Sequence, residues 1–184
     1  MLCFKKASGW VLSGLALMWV SLQAQAYTQP CQTVAQMAGE VYQPKPHRAA
    51  LLLPPEQLPQ NDWELLTRNG VWFVYEASEP WFGLKTCAPR QIKVKGQTTR
   101  VMPVLLNQKT GVNAVVVGRF VIKVRRPEQL EGLSPRYDMA LVTRLPNRFT
   151  AVFDVGTRVS FDQLLQTMDR DVAIEYAAPI VSEP

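Results

Sequence analysis

Histidine is nearly absent from this sequence, since His47 is the only one among its 184 residues. It lies in a Pro-Lys-Pro-His-Arg stretch that is typical of an exposed loop. A Ser-His-Asp or Cys-His site needs a histidine beside its nucleophile, and the sequence has no Gly-x-Ser-x-Gly motif. Zinc sites need several His or Cys ligands at close spacing. We therefore predict that the protein is not an enzyme and has no catalytic residues, no metal and no cofactor.

The first 26 residues have the pattern of a secretory signal peptide. Lys5 and Lys6 precede an apolar run over 9–22, and Ala-Gln-Ala at 24–26 offers the small-x-small site that signal peptidase reads. The run is shorter than the ~20 residues that a membrane span needs. We predict cleavage after Ala26, a periplasmic or secreted location, and no membrane association of the product.

Neither glycine nor charge of one sign is abundant. The ten glycines form no phosphate-binding loop. Without the two lysines of the predicted signal peptide, 18 basic residues remain against 15 acidic ones. Nucleic acid requires a concentrated basic face, so we expect no nucleic-acid partner.

Cysteine is also rare, with three residues. Cys3 falls within the predicted signal peptide, which leaves Cys31 and Cys87 to face an oxidising compartment as a pair. A disulfide between them would close a loop of roughly 56 residues and stabilise the fold by about 4 kcal/mol on the chain-entropy estimate. The alternative is two buried free thiols.

Residues 27–116 are predicted to form a small α+β domain without a functional motif. A short helix is expected at 34–37. Asn61, followed by Glu64 three residues on, predicts the start of a second helix that ends at Gly70. The segments rich in β-branched and aromatic residues are predicted as strands, at 71–75, 92–95, 98–106 and 112–117.

Residues 117–184 predict the order β-α-β-β-α-β, which is the ferredoxin-like arrangement. Strands are expected at 120–124, 139–145 and 149–155, with a fourth that begins at Val172. The fold class expected for the whole chain is therefore α+β, a ferredoxin-like C-terminal domain preceded by the small N-terminal domain.

The two predicted helices of this part carry local signals. The first holds Leu130 and Leu133 and is limited by Pro135. The second has Ser160 as N-cap and Gln163 as its partner in a capping box. Asp162 suits the positive end of that helix dipole, and the buried stripe is expected to be Leu164, Leu165 and Met168.

One face of the predicted C-terminal sheet lacks a cover. Both helices are expected to pack on the other face, yet the strands are apolar on both sides. For example, the side chains of Phe120 and Ile122 point to one face and that of Val121 points to the other. A bare apolar face usually marks a contact surface. The alternative is that the N-terminal part of the chain covers it.

Four segments between Gly118 and Val181 resemble the propeptide family of subtilisin-like proteases, the inhibitor I9-like family. They occur in the family's order, and the last is close to its Val-x-Tyr-Ala-x-Pro ending. The segments are Gly118–Val124, Phe149–Asp154, Ser160–Leu165 and Val172–Pro179.

In that family, the sheet face docks on two surface helices of the protease, and the residues after the last strand lie in the substrate cleft as a product would. With its additional N-terminal part, the architecture is similar to the external chaperones of kexin-like secreted serine proteases that lack their own propeptide. The resemblance implies a chaperone that also inhibits the protease through a product-like C-terminal tail, residues 178–184, which would follow the last strand. The alternative is a stand-alone periplasmic protease inhibitor or another periplasmic binding module. The protease-binding residues that the resemblance implies are Glu175, Tyr176, Ala177, Ala178, Pro179, Ile180, Val181, Ser182, Glu183 and Pro184.

Overall fold

The fold was analysed in a computed structural model that describes residues 30–58, 63–82, 87–156 and 159–184. The predicted signal peptide lies outside these residues. Within them, none of the helices combines the length and the apolar character that crossing a membrane requires.

Short helices and longer strands alternate along the described chain. The α-helices are α1 (Gln32–Ala38), α2 (Gln129–Tyr137) and α3 (Phe161–Asp169), and a 3-10 turn covers Pro55–Gln57. The strands are β1 (Tyr42–Leu51), β2 (Trp63–Asn69), β3 (Trp72–Ala77), β4 (Arg90–Val94), β5 (Gln97–Asn107), β6 (Asn113–Val124), β7 (Ala140–Arg144), β8 (Thr150–Asp154) and β9 (Ile174–Ser182).

All nine strands belong to one antiparallel sheet. Its main path is β2-β3-β1-β5-β6-β8-β7, with β4 paired to β5 and β9 paired to β6. The predicted fold class is therefore wrong: the described residues form a β-rich fold of nine strands with three short α-helices, not an α+β fold with a ferredoxin-like domain. The physical reason is that the segments predicted as strands 112–117 and 120–124 form one continuous strand, β6. This strand pairs with β5 from the N-terminal part and with β8 and β9 from the C-terminal part.

The helix predicted from Asn61 to Gly70 is also wrong. The structure has β2 there, paired with β3 from Trp63 opposite Ala77 to Asn69 opposite Trp72. Gly70 is the first residue of the two-residue loop and has φ 58°, as a tight hairpin turn demands. Strand β3 begins only 3 residues after β2 ends, so the two strands can form a complete set of hydrogen bonds with each other. These hydrogen bonds stabilise the hairpin more than a helix N-cap, which contributes about 1 kcal/mol, would stabilise a helix.

Other local predictions are confirmed. Helix α1 contains the predicted segment 34–37, β4 and β5 form the predicted hairpin, and β7 and β8 lie within the predicted strands. Helix α2 buries Leu130 and Leu133 as expected, although it continues past Pro135.

The predicted disulfide is confirmed, and it is part of a junction between the two ends of the described chain. Cys31 and Cys87 are bonded, with their Cα atoms 4.7 Å apart. The backbone N–H of Phe161, at the start of α3, donates to the carbonyl oxygen of Cys87 at 2.6 Å. The junction therefore ties α1 and the segment before β4 to α3.

The capping box predicted for α3 is wrong. Ser160 occupies the N-cap position, but its buried hydroxyl has no hydrogen-bond partner among the described residues. Asp162 instead reaches the start of α1, where its carboxylate accepts hydrogen bonds from the backbone N–H groups of Cys31 at 2.7 Å and Val34 at 3.0 Å. The carboxylate thus caps a helix other than its own.

Burial raises the pKa of Asp162 above 3.8, and the backbone N–H groups of Val34, Cys31 and Thr33 oppose that rise. A raised folded-state pKa means that the stability linked to this ionisation is fully present below the unfolded-state value and is lost as the pH rises through the folded-state value. The aspartate is consequently a more stabilising group in acid than at neutral pH.

Replacing Asp162 by Asn should lower the free energy of unfolding by about 1–2 kcal/mol, because the amide can accept at only one of the two oxygen positions. Urea unfolding at about pH 7 and about pH 3 measures the difference in unfolding free energy between wild type and variant. This difference should be larger in acid, because the cost of burying the charged carboxylate, which lowers wild-type stability at pH 7, disappears once Asp162 is protonated. A difference that shrinks on acidification would mean that the pKa of Asp162 is depressed.

A bulge at Gly118 bends β6. Gly118 has φ 75°, and the register with β9 shifts between Val116 and Phe120. A Cβ atom at this position would lie 3.2 Å from Cε of Met102 and 3.6 Å from Cζ of Phe161. The left-handed backbone therefore favours glycine, and an added Cβ would also force the end of the Met102 side chain to move by a few tenths of an ångström.

Gly118→Ala is expected to cost about 2–3 kcal/mol of unfolding free energy, through backbone strain and the Met102 contact together. Gly111→Ala is the matched control, since Gly111 has φ 72° but nothing within 4 Å of the added atom. The control should cost only about 1 kcal/mol. Equal costs in urea unfolding would show that the Met102 contact contributes nothing.

Candidate protein-docking site

The sheet formed by β7, β8, β6 and β9 has one face packed on helices and one face open. Phe120, Ile122 and Phe153 point to the helical side and are fully buried. Val121 points the other way, directly between Val152 on β8 and Ala178 on β9. We call this second side the open face.

The open face has an apolar centre and a polar border. Its centre is formed by the half-buried Val121 and Ala178 and by Val152, which is only 9% exposed. Thr143 and Tyr176, which is 46% exposed, flank this centre. Residues directly opposite each other in antiparallel strands lie on the same face, so these positions follow from the register. Lys123 at one end forms an exposed ion pair with Glu175 at 2.7 Å.

The residues predicted to bind a protease are divided between the two sides of β9. Tyr176 and Ala178 lie on the open face, whereas Ala177 and Pro179 are buried on the helical side. The interpretation of residues 178–184 as a tail beyond the last strand is wrong in its local structure. Strand β9 continues to Ser182, because residues 181 and 182 find partners at Val116 and Val115 of β6.

A set of hydrogen bonds fastens the end of this strand. Oε1 of Glu183 accepts from the hydroxyl of Tyr42 at 2.9 Å and from Nδ2 of Asn107 at 3.0 Å. The side-chain amide of Asn69 donates to the carbonyl of Asn113 at 2.6 Å and reaches that of Ser182 at 3.5 Å. We call the group of Tyr42, Asn107 and Glu183 the C-terminal clasp.

The clasp is partly shielded from water. Burial raises the pKa of Tyr42 above 10.0, and its hydrogen bond to the carboxylate of Glu183 and the charge of that carboxylate raise it further. Sequence reasoning missed the clasp because its three members come from β1, β5 and the segment after β9. The only local signal was the polar residue Asn107 at the end of an apolar strand.

Two other titratable residues, His47 and Asp171, make local contacts elsewhere in the fold. Nδ1 of His47 lies 3.2 Å from the carbonyl oxygen of Ala77 in an exposed position. Asp171 accepts from Arg136 and Tyr137 and so joins α2 to the start of β9. In the part of the chain that the structure describes, no group of three or more His, Cys, Asp or Glu side chains could hold a metal ion.

Comparison with known proteins adds no neighbour: the chain matches no family model, no curated protein and no solved structure.

Glu183→Gln should weaken the clasp by about 1 kcal/mol, because it replaces charge-assisted hydrogen bonds with neutral ones. Amide hydrogen exchange should become faster at Val181 and Ser182. Glu175→Gln, at the opposite end of the same strand, is the control and should leave those two amides unchanged. Unaltered exchange in Glu183→Gln would show that β6 alone holds the strand end.

Proposed function

We propose that this protein is an exported, non-catalytic partner of a subtilisin-like serine protease of the kexin-like kind, which helps the protease to fold and then inhibits it. The observation that carries the proposal is the open face, an apolar sheet surface beside the segment that resembles the propeptide ending. The Cys31–Cys87 disulfide supports the location, because such bonds persist in the periplasm and outside the cell.

Docking through the open face accounts for assisted folding. A surface that binds the native-like protease more tightly than its unfolded chain stabilises the folded form by mass action. The half-buried Val121 and Ala178 supply the apolar contact, and Tyr176 supplies a large exposed side chain of the kind that dominates binding energy at interfaces.

Inhibition through the C-terminal residues requires a rearrangement. Residues 180–184 can lie along a substrate cleft only after they leave β6 and the clasp opens. Strand pairing within the cleft then replaces the pairing with β6, so one set of backbone hydrogen bonds is exchanged for another. The clasp thereby sets the cost of inhibition without affecting docking through the open face.

The proposal is tested with a secreted subtilisin-like protease that lacks a propeptide. Refolding this protease with the present protein should increase the yield of active enzyme, and adding the protein to mature enzyme should inhibit it. Tyr176→Ala should weaken inhibition by about tenfold or more, since it removes the exposed ring from the docking surface.

Leu65→Ala is the matched control, because Leu65 is 43% exposed and lies on β2, away from the open face. It should leave both refolding yield and inhibition unchanged. Equal effects of the two substitutions, or no saturable binding by the wild-type protein, would overturn the proposed function.

A further inference from the structure

A groove opens where β5 and β8 follow one another along the same edge of β6. Strand β5 pairs with β6 only at residues 113–115, and β8 pairs with it only from residue 119 to residue 123. Between them, the bulge at Gly118 leaves a gap. The resulting groove has a volume of about 570 Å³ and includes Val117, Arg119 and Asp154 on its β6–β8 side.

The groove has aliphatic side chains at its rim. Leu52 is 53% exposed and Val71 is 65% exposed, and both line it together with the half-buried Trp72 and Val117. Exposed aliphatic residues gathered at a concave surface favour a protein ligand that contributes an apolar side chain.

The other border of the groove is basic. The β4–β5 hairpin carries Arg90, Lys93, Lys95 and Arg100 and has no acidic residue between 90 and 101. Arg100 lines the groove, and Lys93 lies opposite Thr98, which is two residues from Arg100 on the same face of the hairpin.

Two arginines and one aspartate are the charged residues that line the groove. Among the described residues, no ion pair involves Lys93, Arg100 or Arg119. Asp154 lies opposite Arg119 on the neighbouring strand, and its carboxylate offsets one of the two arginine charges. The uncompensated charge of the groove is therefore positive.

We propose that this groove binds an extended, acidic protein segment that carries an aliphatic anchor residue. The anchor would contact Leu52, Val71 and Val117, and carboxylates on either side of it would meet Arg100 and Arg119. The most exposed apolar side chains of the groove, Leu52 and Val71, are aliphatic, whereas its aromatic residue Trp72 is half-buried, and this favours such a segment over stacked nucleic-acid bases. The site does not depend on the protease partnership proposed above.

The test uses a synthetic twelve-residue peptide in which Glu residues flank a central Leu-Val pair, and a second peptide in which Lys replaces every Glu. Binding is followed by fluorescence anisotropy of the labelled peptide and by amide chemical shifts of the intact protein. The acidic peptide should bind about tenfold or more tightly than the basic one and should shift Thr98, Thr99 and Val117.

Three variants locate the interaction. Arg100→Glu combined with Arg119→Glu should weaken the acidic peptide by about tenfold or more and strengthen the basic one. The exposed pair Arg148→Glu and Arg170→Glu changes the net charge equally elsewhere and should have no comparable effect. Leu52→Ser, at an exposed position, should weaken the acidic peptide without altering its salt dependence.

Three results would overturn the proposal: equal affinity for the two peptides, no binding of either, or equal losses in both charge variants. Single-stranded DNA of the same length serves as the competing polyanion. Binding of that DNA at least as tight as that of the acidic peptide, with the same dependence on Arg100 and Arg119, would assign the groove to nucleic acid instead.

Discussion

Strand β6 is paired along both of its edges, and the position of every proposed contact depends on it. Strand β9 follows one edge from Val115 to Val124, while β5 and then β8 occupy the other. Because side chains alternate, the strand that buries Phe120 and Ile122 also presents Val121 on the open face. A slip of one residue would exchange these two sets, so burial of the two large side chains fixes the composition of the docking surface.

The N-terminal part of the chain holds the C-terminal strand at both ends. At the beginning of α3, the Cys31–Cys87 bond and the carboxylate of Asp162 fix α1, which packs on β9. At the other end of β9, Tyr42 and Asn107 hold Glu183. A C-terminal segment isolated from these residues would lose the contacts that keep residues 180–183 on the sheet. In the proposed inhibition, the N-terminal part would therefore set how readily the last residues leave the sheet.

Local patterns predicted most of the strands and all three described α-helices, but not how they combine. The hairpin at residues 90–107 was predictable because its signals lie within one short segment. The bend at Gly118 was read as a break between two strands, since a glycine amid β-branched residues gives no information on pairing further along. The helix predicted at 61–70 failed because capping residues contribute little compared with a complete set of strand hydrogen bonds.

The same difference between local and long-range information decides which parts of the candidate site could be predicted from the sequence. The centre of the open face could be predicted from Val121 and the alternation around it, because that pattern is local. The clasp and the partner of Asp162 could not, since each joins residues more than 70 positions apart in the sequence.

Arg119 and Asp154 lie opposite each other at the end of the open face and also line the groove. The two surfaces therefore adjoin. A partner that covers only the open face leaves Leu52 and Val71 exposed to water, whereas one that extends past Arg119 buries them as well. In the two proposals, apolar contact would supply affinity on both surfaces, while the basic border would direct which acidic segment can approach.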